Sequence, residues 1–234
     1  MGKGAGPPVV FLPGLQGDSA IFADLVDVLG NHVSAWGFSF GDRGLLEDCA
    51  DLSYELSRND LVAPRLICGS YGGQVALRTQ EGVHSIVVTG SFPSWASLLF
   101  RQRRTLNLAN QMPMKAFDWL YRKRFVSRLE RDGVPLDLAR GMDTPDGKAI
   151  RQRLRSLKGL KAAVSSCPLL WLSGEEDRES PWLEKDIHKA WPEAEYRRLP
   201  GKHRPYASHA TDFAACVRDW WSLIDTSDED ARGV

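Results

Sequence analysis

Short apolar runs alternate with longer amphipathic stretches along this chain. The runs are bounded by Gly or Pro, which is typical of strands buried on both faces of a parallel sheet. Five are strongly apolar and the sixth is more polar: Val9–Leu12, His32–Phe38, Arg65–Cys68, Ser85–Thr89, Leu169–Leu172 and Glu195–Leu199. Helical patterns separate most of them. This alternation predicts an α/β fold, with a mostly parallel sheet of about six strands flanked by helices.

The helical patterns place apolar side chains where they would cover that sheet. One helix, Gly72–Gln80, follows the third run directly. The last helix carries an apolar stripe that should face the sheet: Phe213, Val217, Trp220, Trp221 and Ile224. The two adjacent tryptophans could belong to the core or to an interface. We expect the acidic tail, residues 226–234, to be disordered.

Residues 93–165 interrupt the alternation, because they contain helical patterns but no strand pattern. Within them, FDWLYRKRFVSRLERDG predicts an amphipathic helix that ends at Gly133. We interpret 93–165, hereafter the cap segment, as a helical cap inserted after the fourth strand of a single domain that spans residues 1–234. It holds 16 Lys and Arg against 6 Asp and Glu, whereas the whole chain has 30 of each.

Composition excludes several classes of protein. The formal net charge is zero, so overall charge favours neither nucleic acid nor a membrane as a partner. The four cysteines are scattered without a CxxC pair or metal-ligand spacing, so we expect reduced thiols and no metal. No apolar run precedes the first strand, and no stretch of about 18 apolar residues occurs. These features predict a soluble cytoplasmic protein.

The strongest local signal is the segment RLICGSYGGQVAL. An apolar strand runs directly into Gly-Ser-x-Gly-Gly and then into a helical pattern, an arrangement that raises a serine hydroxyl above the end of a sheet. Ser70 is therefore the candidate nucleophile. Gly72 and Gly73 give this strained turn the small neighbours that it needs. Alone, the motif is also compatible with a glycine-rich turn that holds an inert serine.

This segment resembles the nucleophile turn of the α/β-hydrolase superfamily, and the resemblance extends over nearly the whole chain. It implies an α/β-hydrolase fold and the order serine, acid, histidine along the sequence. Asp177 matches the family's acid, three residues after the Gly174 that ends the strand in CPLLWLSGEED. His203 in GKHRP matches its histidine, with Pro205 and then Phe213 following as in the family.

Other carboxylates and one other histidine compete for these two roles: Glu175, Glu176, Asp143, Asp146 and His209. The two glutamates are immediate neighbours of the acid candidate, and the two aspartates lie in the cap segment. His209 lies where the last helix begins, so His203 is the better candidate for a general base. The remaining histidines fall in or beside regular elements and are interpreted as structural.

By family position, the oxyanion hole uses the backbone N–H groups of Tyr71 and Leu15. Tyr71 follows the nucleophile, and Leu15 lies in the loop FLPGLQGD. Two positions depart from the family pattern. Cys68 replaces the glycine two residues before the serine, and we expect the turn to tolerate it because cysteine is small. Pro13 replaces a histidine that often braces the oxyanion loop.

Two segments near the C-terminus, WPEAEY and HRPYASHATDF, are similar to those of the carboxylesterases that demethylate pimeloyl-acyl carrier protein methyl ester. This resemblance implies hydrolysis of a carboxylic ester, small or linked to an acyl carrier, without a cofactor. Basic clusters of the cap segment could guide an acidic carrier protein or an anionic substrate to the site. The alternatives are a thioesterase that acts on carrier or coenzyme-A thioesters, and a non-catalytic adaptor that binds a partner through the cap segment.

Overall fold

The structure, a computed structural model, describes residues 5–232, and only the backbone of residues 228–232. A six-stranded sheet lies at its centre. The strands are β1 Pro8–Leu12, β2 Ser34–Gly37, β3 Arg65–Gly69, β4 Ser85–Thr89, β5 Leu169–Gly174 and β6 Glu195–Leu199. Every neighbouring pair is parallel, in the order β2-β1-β3-β4-β5-β6. The α/β class and the six-stranded parallel sheet predicted from the sequence are confirmed.

Helices connect the strands. They are α1 Ala23–Leu29, α2 Leu45–Arg58, α3 Tyr71–Ala76, α4 Phe100–Gln111, α5 Met114–Arg131, α6 Leu136–Gly141, α7 Gly147–Ser156, α8 Glu184–His188, α9 Pro205–Ser208 and α10 Ala210–Arg232. Four of them, α4 to α7, occupy the cap segment between β4 and β5. The long helix predicted there is α5, and the φ of 98° at Gly133 lies just beyond its end. No helix in the described part of the chain is long and apolar enough to cross a membrane.

The sheet separates two apolar cores, because successive side chains of a strand point to opposite faces. In β1, Val9 and Phe11 belong to the core that α1 and α10 cover. Val10 and Leu12 belong to the core on the other face, which α2, α3 and α8 cover. The predicted stripe of α10 is buried, and its adjacent tryptophans are both core residues. Helices on both faces leave the C-terminal ends of the strands as the open side of the sheet.

Two elements are shorter than their sequence patterns indicate. The helix expected over Gly72–Gln80 is only Tyr71–Ala76, because the N–H groups of Arg78 and Thr79 bind carbonyls three residues back and tighten the chain into a turn. The second strand, expected over His32–Phe38, is limited to Ser34–Gly37. It is an edge strand, and a 3-10 turn at Gly30–His32 leads into it.

The C-terminal helix α10 continues to Arg232, within residues 226–234 for which the sequence predicts a disordered tail. Its position is fixed at Asp225, whose carboxylate accepts hydrogen bonds of 2.7 Å from Arg65 at the start of β3. Two hydroxyl side chains that follow donate to carbonyls one turn back. These local bonds and the tie to the sheet offset the entropy cost of ordering a polar segment. Residues 233–234 lie outside the described part.

Candidate active site

Ser70 lies between the end of β3 and the start of α3. Its φ of 51° places a non-glycine residue in the left-handed region, the strained conformation expected at a nucleophile turn. Its N–H donates to the carbonyl of Thr89 at 2.7 Å, and its own carbonyl accepts from Gly73 at 3.1 Å. The turn is thus tied to β4 on one side and to α3 on the other. It presents the hydroxyl at the open side of the sheet.

The glycines around Ser70 are required by close contacts. A Cβ on Gly72 would lie 2.5 Å from the last carbonyl of β1, and one on Gly73 would lie 2.9 Å from a side chain of β4. A Cβ on Gly69 would lie 2.7 Å from the hydroxyl of Tyr206. Cys68 is fully buried in β3, and its pairing with both neighbouring strands is uninterrupted. The turn therefore keeps its geometry with cysteine in place of the family's glycine.

Asp177 and His203 form a buried hydrogen-bonded pair. Asp177 lies in the loop after β5 and His203 in the loop after β6, so adjacent strands bring them together. The Nδ1 atom of His203 lies 3.1 Å from Oδ2 of Asp177 and 3.2 Å from Oδ1. Oδ1 also accepts the N–H groups of Glu179 and Ser180, at 2.8 and 2.9 Å. The carboxylate therefore has a fixed orientation toward the imidazole.

The electrostatics of Asp177 favour its charged form. Burial by itself would raise the pKa of this carboxyl group, but the hydrogen bond and charge of His203 oppose that effect. The two backbone N–H donors act in the same direction, and the net result is a lowered pKa. An ionised Asp177 is the species that can orient a histidine and stabilise its imidazolium.

The imidazole of His203 faces the same cavity as Ser70. Its ring packs against Gly90, at the end of β4, where a Cβ would lie 2.8 Å from the carbonyl of His203 and 3.2 Å from its Nε2. Because Asp177 occupies Nδ1, Nε2 is the nitrogen that remains for the serine. Within the described residues, no hydrogen bond joins Ser70 and His203. Such contacts are often long in free enzymes and shorten when substrate binds.

The loop after β1 approaches the serine from the other side. A Cβ on Gly14 would lie 3.3 Å from Cβ of Ser70, and a turn from Gly17 N–H to the carbonyl of Gly14, at 3.0 Å, closes the loop. Leu15 and Tyr71 both line the cavity. No hydrogen bond among the described residues uses the N–H group of either one. Both donors are therefore available to an oxygen that bears negative charge.

Comparison with known proteins agrees with this architecture. A sequence model described as the alpha/beta hydrolase family matches residues 9–216. The chain belongs to the alpha/beta hydrolase family. Its fold is similar to that of a haloalkane dehalogenase from Bradyrhizobium elkani USDA94, with a TM-score of 0.77 and 15% identity over 97% of this chain and 94% of that one.

Two further solved structures of similar fold carry other activities in their names. The enol-lactonase from Burkholderia xenovorans LB400 aligns with a TM-score of 0.71 and 17% identity over 94% of this chain and 92% of that one. An E-2-(acetamidomethylene)succinate hydrolase aligns with a TM-score of 0.74 and 15% identity over 94% and 93%. At such identities the likeness concerns the fold alone, so the reaction of this alpha/beta hydrolase must be argued from its site.

The cavity of this alpha/beta hydrolase has a volume of about 800 Å³. Ser70 and the Asp177–His203 pair lie on its sheet side, and the cap segment supplies an apolar wall: Leu106, Phe117, Tyr121, Phe125, Ile150 and Leu154. Three exposed cations, Arg101, Arg178 and Lys202, also line it, and none forms an ion pair with another described residue. The cavity is thus apolar along the cap segment and carries unpaired positive charge.

The competing residues lie elsewhere. His209 hydrogen-bonds Ser208 at 2.9 Å through Nδ1 and forms no bond to Asp177. Asp146 caps α7 by accepting the N–H of Lys148 at 3.1 Å. The remaining carboxylates are exposed, and neither Glu175 nor Asp143 lines the cavity. Of these alternatives only Glu176 reaches the cavity wall, without a bond to the histidine.

Several residues that shape the site did not stand out in the sequence. Gly90 admits the imidazole, and the hydroxyl of Ser180 donates to the Gly90 carbonyl at 3.0 Å. Asp48 and Arg153 are charged side chains that are almost fully buried close to the serine turn. A signal for both exists, because each occupies an apolar-stripe position of its helix. Arg153 falls between Ile150 and Leu154 on the buried face of α7.

Proposed function

We propose that this alpha/beta hydrolase is a serine esterase that cleaves a carboxylic ester through an acyl-enzyme intermediate. The observation that carries the proposal is the buried Asp177–His203 pair, which opens onto the same cavity as the strained Ser70. A nucleophile needs a base within reach, and that base needs a third group to orient it. A turn that only connected a strand and a helix would require none of these three features.

In the proposed reaction, Oγ of Ser70 attacks the ester carbonyl while Nε2 of His203 takes the hydroxyl proton. The carbonyl π electrons move to oxygen, and the resulting oxyanion accepts the N–H groups of Leu15 and Tyr71. The intermediate collapses, the C–O bond to the alcohol breaks, and the alkoxide leaves with the proton from His203. Water, deprotonated by the same nitrogen, then attacks the acyl-serine; the bond between the acyl carbon and Oγ of Ser70 breaks, His203 returns the proton to Oγ, and the acid is released.

The first test is Ser70→Ala with a short p-nitrophenyl ester as substrate. We expect kcat to fall by about 10⁴-fold or more, and a fluorophosphonate probe should label the wild type at Ser70 and not the variant. Ser208→Ala, a serine outside the proposed site, is the control. Wild-type protein that is folded but neither turns over the ester nor accepts the probe would instead support the adaptor hypothesis.

The cavity supports an acyl group that is apolar along its length and anionic at its end. The cap segment provides the apolar wall, and Arg101, Arg178 and Lys202 provide cations that form no ion pair with the side chains that the structure describes. A matched pair tests this assignment: monomethyl adipate and methyl hexanoate differ in the terminal carboxylate. We expect kcat/KM to favour the adipate by about fivefold, since an exposed ion pair contributes up to about 1 kcal/mol. Arg101→Gln should reduce this preference, while Arg104→Gln on the same helix should not.

The thioesterase alternative is separated by the leaving group. Because the same residues serve oxygen and sulfur esters, the oxygen and sulfur methyl esters of one hexanoyl group are compared at equal concentration. Similar or faster turnover of the oxygen ester supports the esterase. A far higher kcat/KM for the thioester would contradict the esterase proposal and support a thioesterase.

An acidic carrier protein is the macromolecular substrate carrier that fits the cap segment best. Beside its exposed basic residues, that segment exposes Phe100 and Trp119, with 75% and 62% of their surfaces accessible. Charge complementarity of this kind mainly raises the rate of association, and its effect weakens as the salt concentration rises. We expect the combined change Arg104→Glu and Lys123→Glu to reduce kcat/KM for a carrier-bound ester, and to leave a free methyl ester unaffected. Equal effects on both substrates would contradict carrier docking.

A further inference from the structure

Two opposite charges are buried close to the serine turn, outside the proposed triad. Asp48 lies on α2 and Arg153 on α7, with 0% and 2% of their surfaces exposed. Nε of Arg153 is 4.0 Å from Oδ2 of Asp48. Burying such a pair is costly, and one atom of each charge, Nε of Arg153 and Oδ1 of Asp48, has no hydrogen-bond partner. An apolar pair would serve stability at least as well, so this arrangement calls for another role.

Arg153 reaches from the cap segment to the oxyanion loop. Its Nη1 donates to the carbonyl of Leu15 at 2.5 Å, and its Nη2 donates to the carbonyls of Phe40 and Gly41. The guanidinium also packs on Gly17, where a Cβ would lie 2.7 Å from Nη1. The planar guanidinium presents its donors in fixed directions and so holds three carbonyls in one geometry, whereas the three donors of a lysine ammonium rotate on a flexible stem. Arg153 therefore fixes the residue that carries one proposed oxyanion donor.

Asp48 holds the residue that carries the other donor. The hydroxyl of Tyr71 donates to Oδ2 of Asp48 at 2.6 Å, and the tyrosine ring is fully buried. Phe40 packs against both Tyr71 and Arg153. Its ring lies edge-on to the ring of Tyr71, with centroids 5.1 Å apart, and its centroid is 5.6 Å from Cζ of Arg153. The side chain of Tyr71 is thus anchored, and the residue lines the cavity beside Ser70.

We propose that Arg153 and Asp48 are positioning residues of the oxyanion hole. Arg153 holds Leu15 through its carbonyl, Asp48 holds Tyr71 through its hydroxyl, and the contact between the two charges ties both donors to α7. The proposal rests on the proposed function. It also accounts for Pro13, which stands where relatives have a bracing histidine, because here the loop is braced from the cap segment. Donors fixed before reaction stabilise the transition state more than the bound ester.

The test measures kcat, KM and inhibition by a trifluoromethyl ketone, which adds to a nucleophilic serine and places an oxyanion in the hole. Arg153→Met removes the hydrogen bonds to the oxyanion loop, and Arg153→Lys keeps the positive charge without the planar guanidinium. Tyr71→Phe removes the hydroxyl that bonds Asp48 and keeps the backbone N–H of residue 71. Arg155→Met is the control, since Arg155 is exposed on the same helix. Thermal unfolding shows which variants are folded.

For a short p-nitrophenyl ester, we expect kcat to fall about 100-fold in Arg153→Met and about tenfold in Tyr71→Phe, with KM within about threefold. Arg153→Lys should lie between Arg153→Met and the wild type, and Arg155→Met should match the wild type. Affinity for the ketone should fall in proportion to kcat/KM. If a variant were only less stable, its folded molecules would keep the wild-type kcat/KM and the wild-type affinity for the ketone.

Unchanged kcat in folded Arg153→Met or in Tyr71→Phe would overturn the proposal, as would a loss confined to KM. If Arg153→Met does not fold, Tyr71→Phe and Arg153→Lys decide the question by the same criteria. These outcomes are distinct from failure of the proposed function. That failure would appear in the wild type, as absent turnover and absent labelling of Ser70, before any of these variants is compared.

Discussion

The two sides of the cavity are built in different ways. On the sheet side, Ser70, Asp177 and His203 follow three parallel strands, and backbone hydrogen bonds or close glycine contacts fix each of them. On the other side, the helices of the cap segment present an apolar wall whose outer surface is basic. The rigid sheet side therefore suits chemistry, and the cap side suits selection among substrates. Changes on the first should act on kcat, and changes on the second on preference among substrates.

Arg153 is an exception to this division between the sheet side and the cap side. It belongs to a cap helix, yet its hydrogen bonds end on the loop that approaches Ser70. If the proposed brace operates, the cap segment takes part in the chemical step as well as in selection. The largest effects are expected on the sheet side.

The largest effect should come from the histidine. We expect His203→Gln to lower kcat for a p-nitrophenyl ester by about 10⁴-fold or more, because no other histidine in the described part of the chain bonds to Asp177. His209→Gln should remain within about twofold, since His209 bonds Ser208 instead. Steady-state kinetics of the two folded variants measures the difference. Equal losses would show that the two histidines had been distinguished wrongly.

A slightly smaller loss is expected at the acid. Asp177→Asn keeps the shape of the loop but places an amide against Nδ1 of His203, which disturbs the tautomer needed for catalysis. We expect kcat to fall about 10³- to 10⁴-fold. Glu175→Gln is the control, because that residue is an exposed neighbour of the same charge. A wild-type kcat in Asp177→Asn would show that another carboxylate orients His203.

The cap side should respond in selectivity. Ile150→Ala enlarges the apolar wall next to the cavity, so longer acyl groups should gain relative to short ones. We expect the ratio of kcat/KM for octanoate over butyrate esters to rise about tenfold, the effect of one or two methylene groups in a pocket. Leu108→Ala, an exposed residue outside the cavity lining, should leave the ratio unchanged. A fall in kcat for Ile150→Ala without a change in this ratio would contradict the assignment of substrate selection to the cap side.

The smallest effect concerns the pH dependence of stability. Burial raises the pKa of Asp48 to about 6, although the hydrogen bond from Tyr71 and the charge of Arg153 oppose the rise. A carboxyl group whose pKa is higher in the folded state favours folding below the unfolded pKa of about 4. That contribution is lost as pH rises through 6.

Urea unfolding of wild type and Asp48→Asn checks this expectation between pH 4 and 8. Relative to the variant, the wild type should lose on the order of 2 kcal/mol of unfolding free energy over that range. Parallel pH profiles would mean that Asp48 does not titrate in this window. Glu47→Gln, at an exposed position on the same helix, serves as the control.

Much of the fold follows from local sequence patterns. Buried parallel strands give short apolar runs, and the stripe of α10 has the spacing of one helix face, so both are visible without tertiary information. Two features do not follow from those patterns. The end of α3 depends on a local tightening of the chain, and α10 is tied to the sheet by a bond between Asp225 and Arg65, 160 positions apart.

By itself, the sequence determined the fold class and the order of the candidate residues Ser70, Asp177 and His203, because strand ends and small turn residues leave local patterns. The tertiary structure alone decided which carboxylate meets the histidine and which glycine admits its ring. It also decided which carbonyls Arg153 meets, although the position of this residue on the buried face of α7 is visible in the sequence. The reason is physical: partners for a buried charge come from elements distant in the chain, and no local pattern specifies their distance or direction.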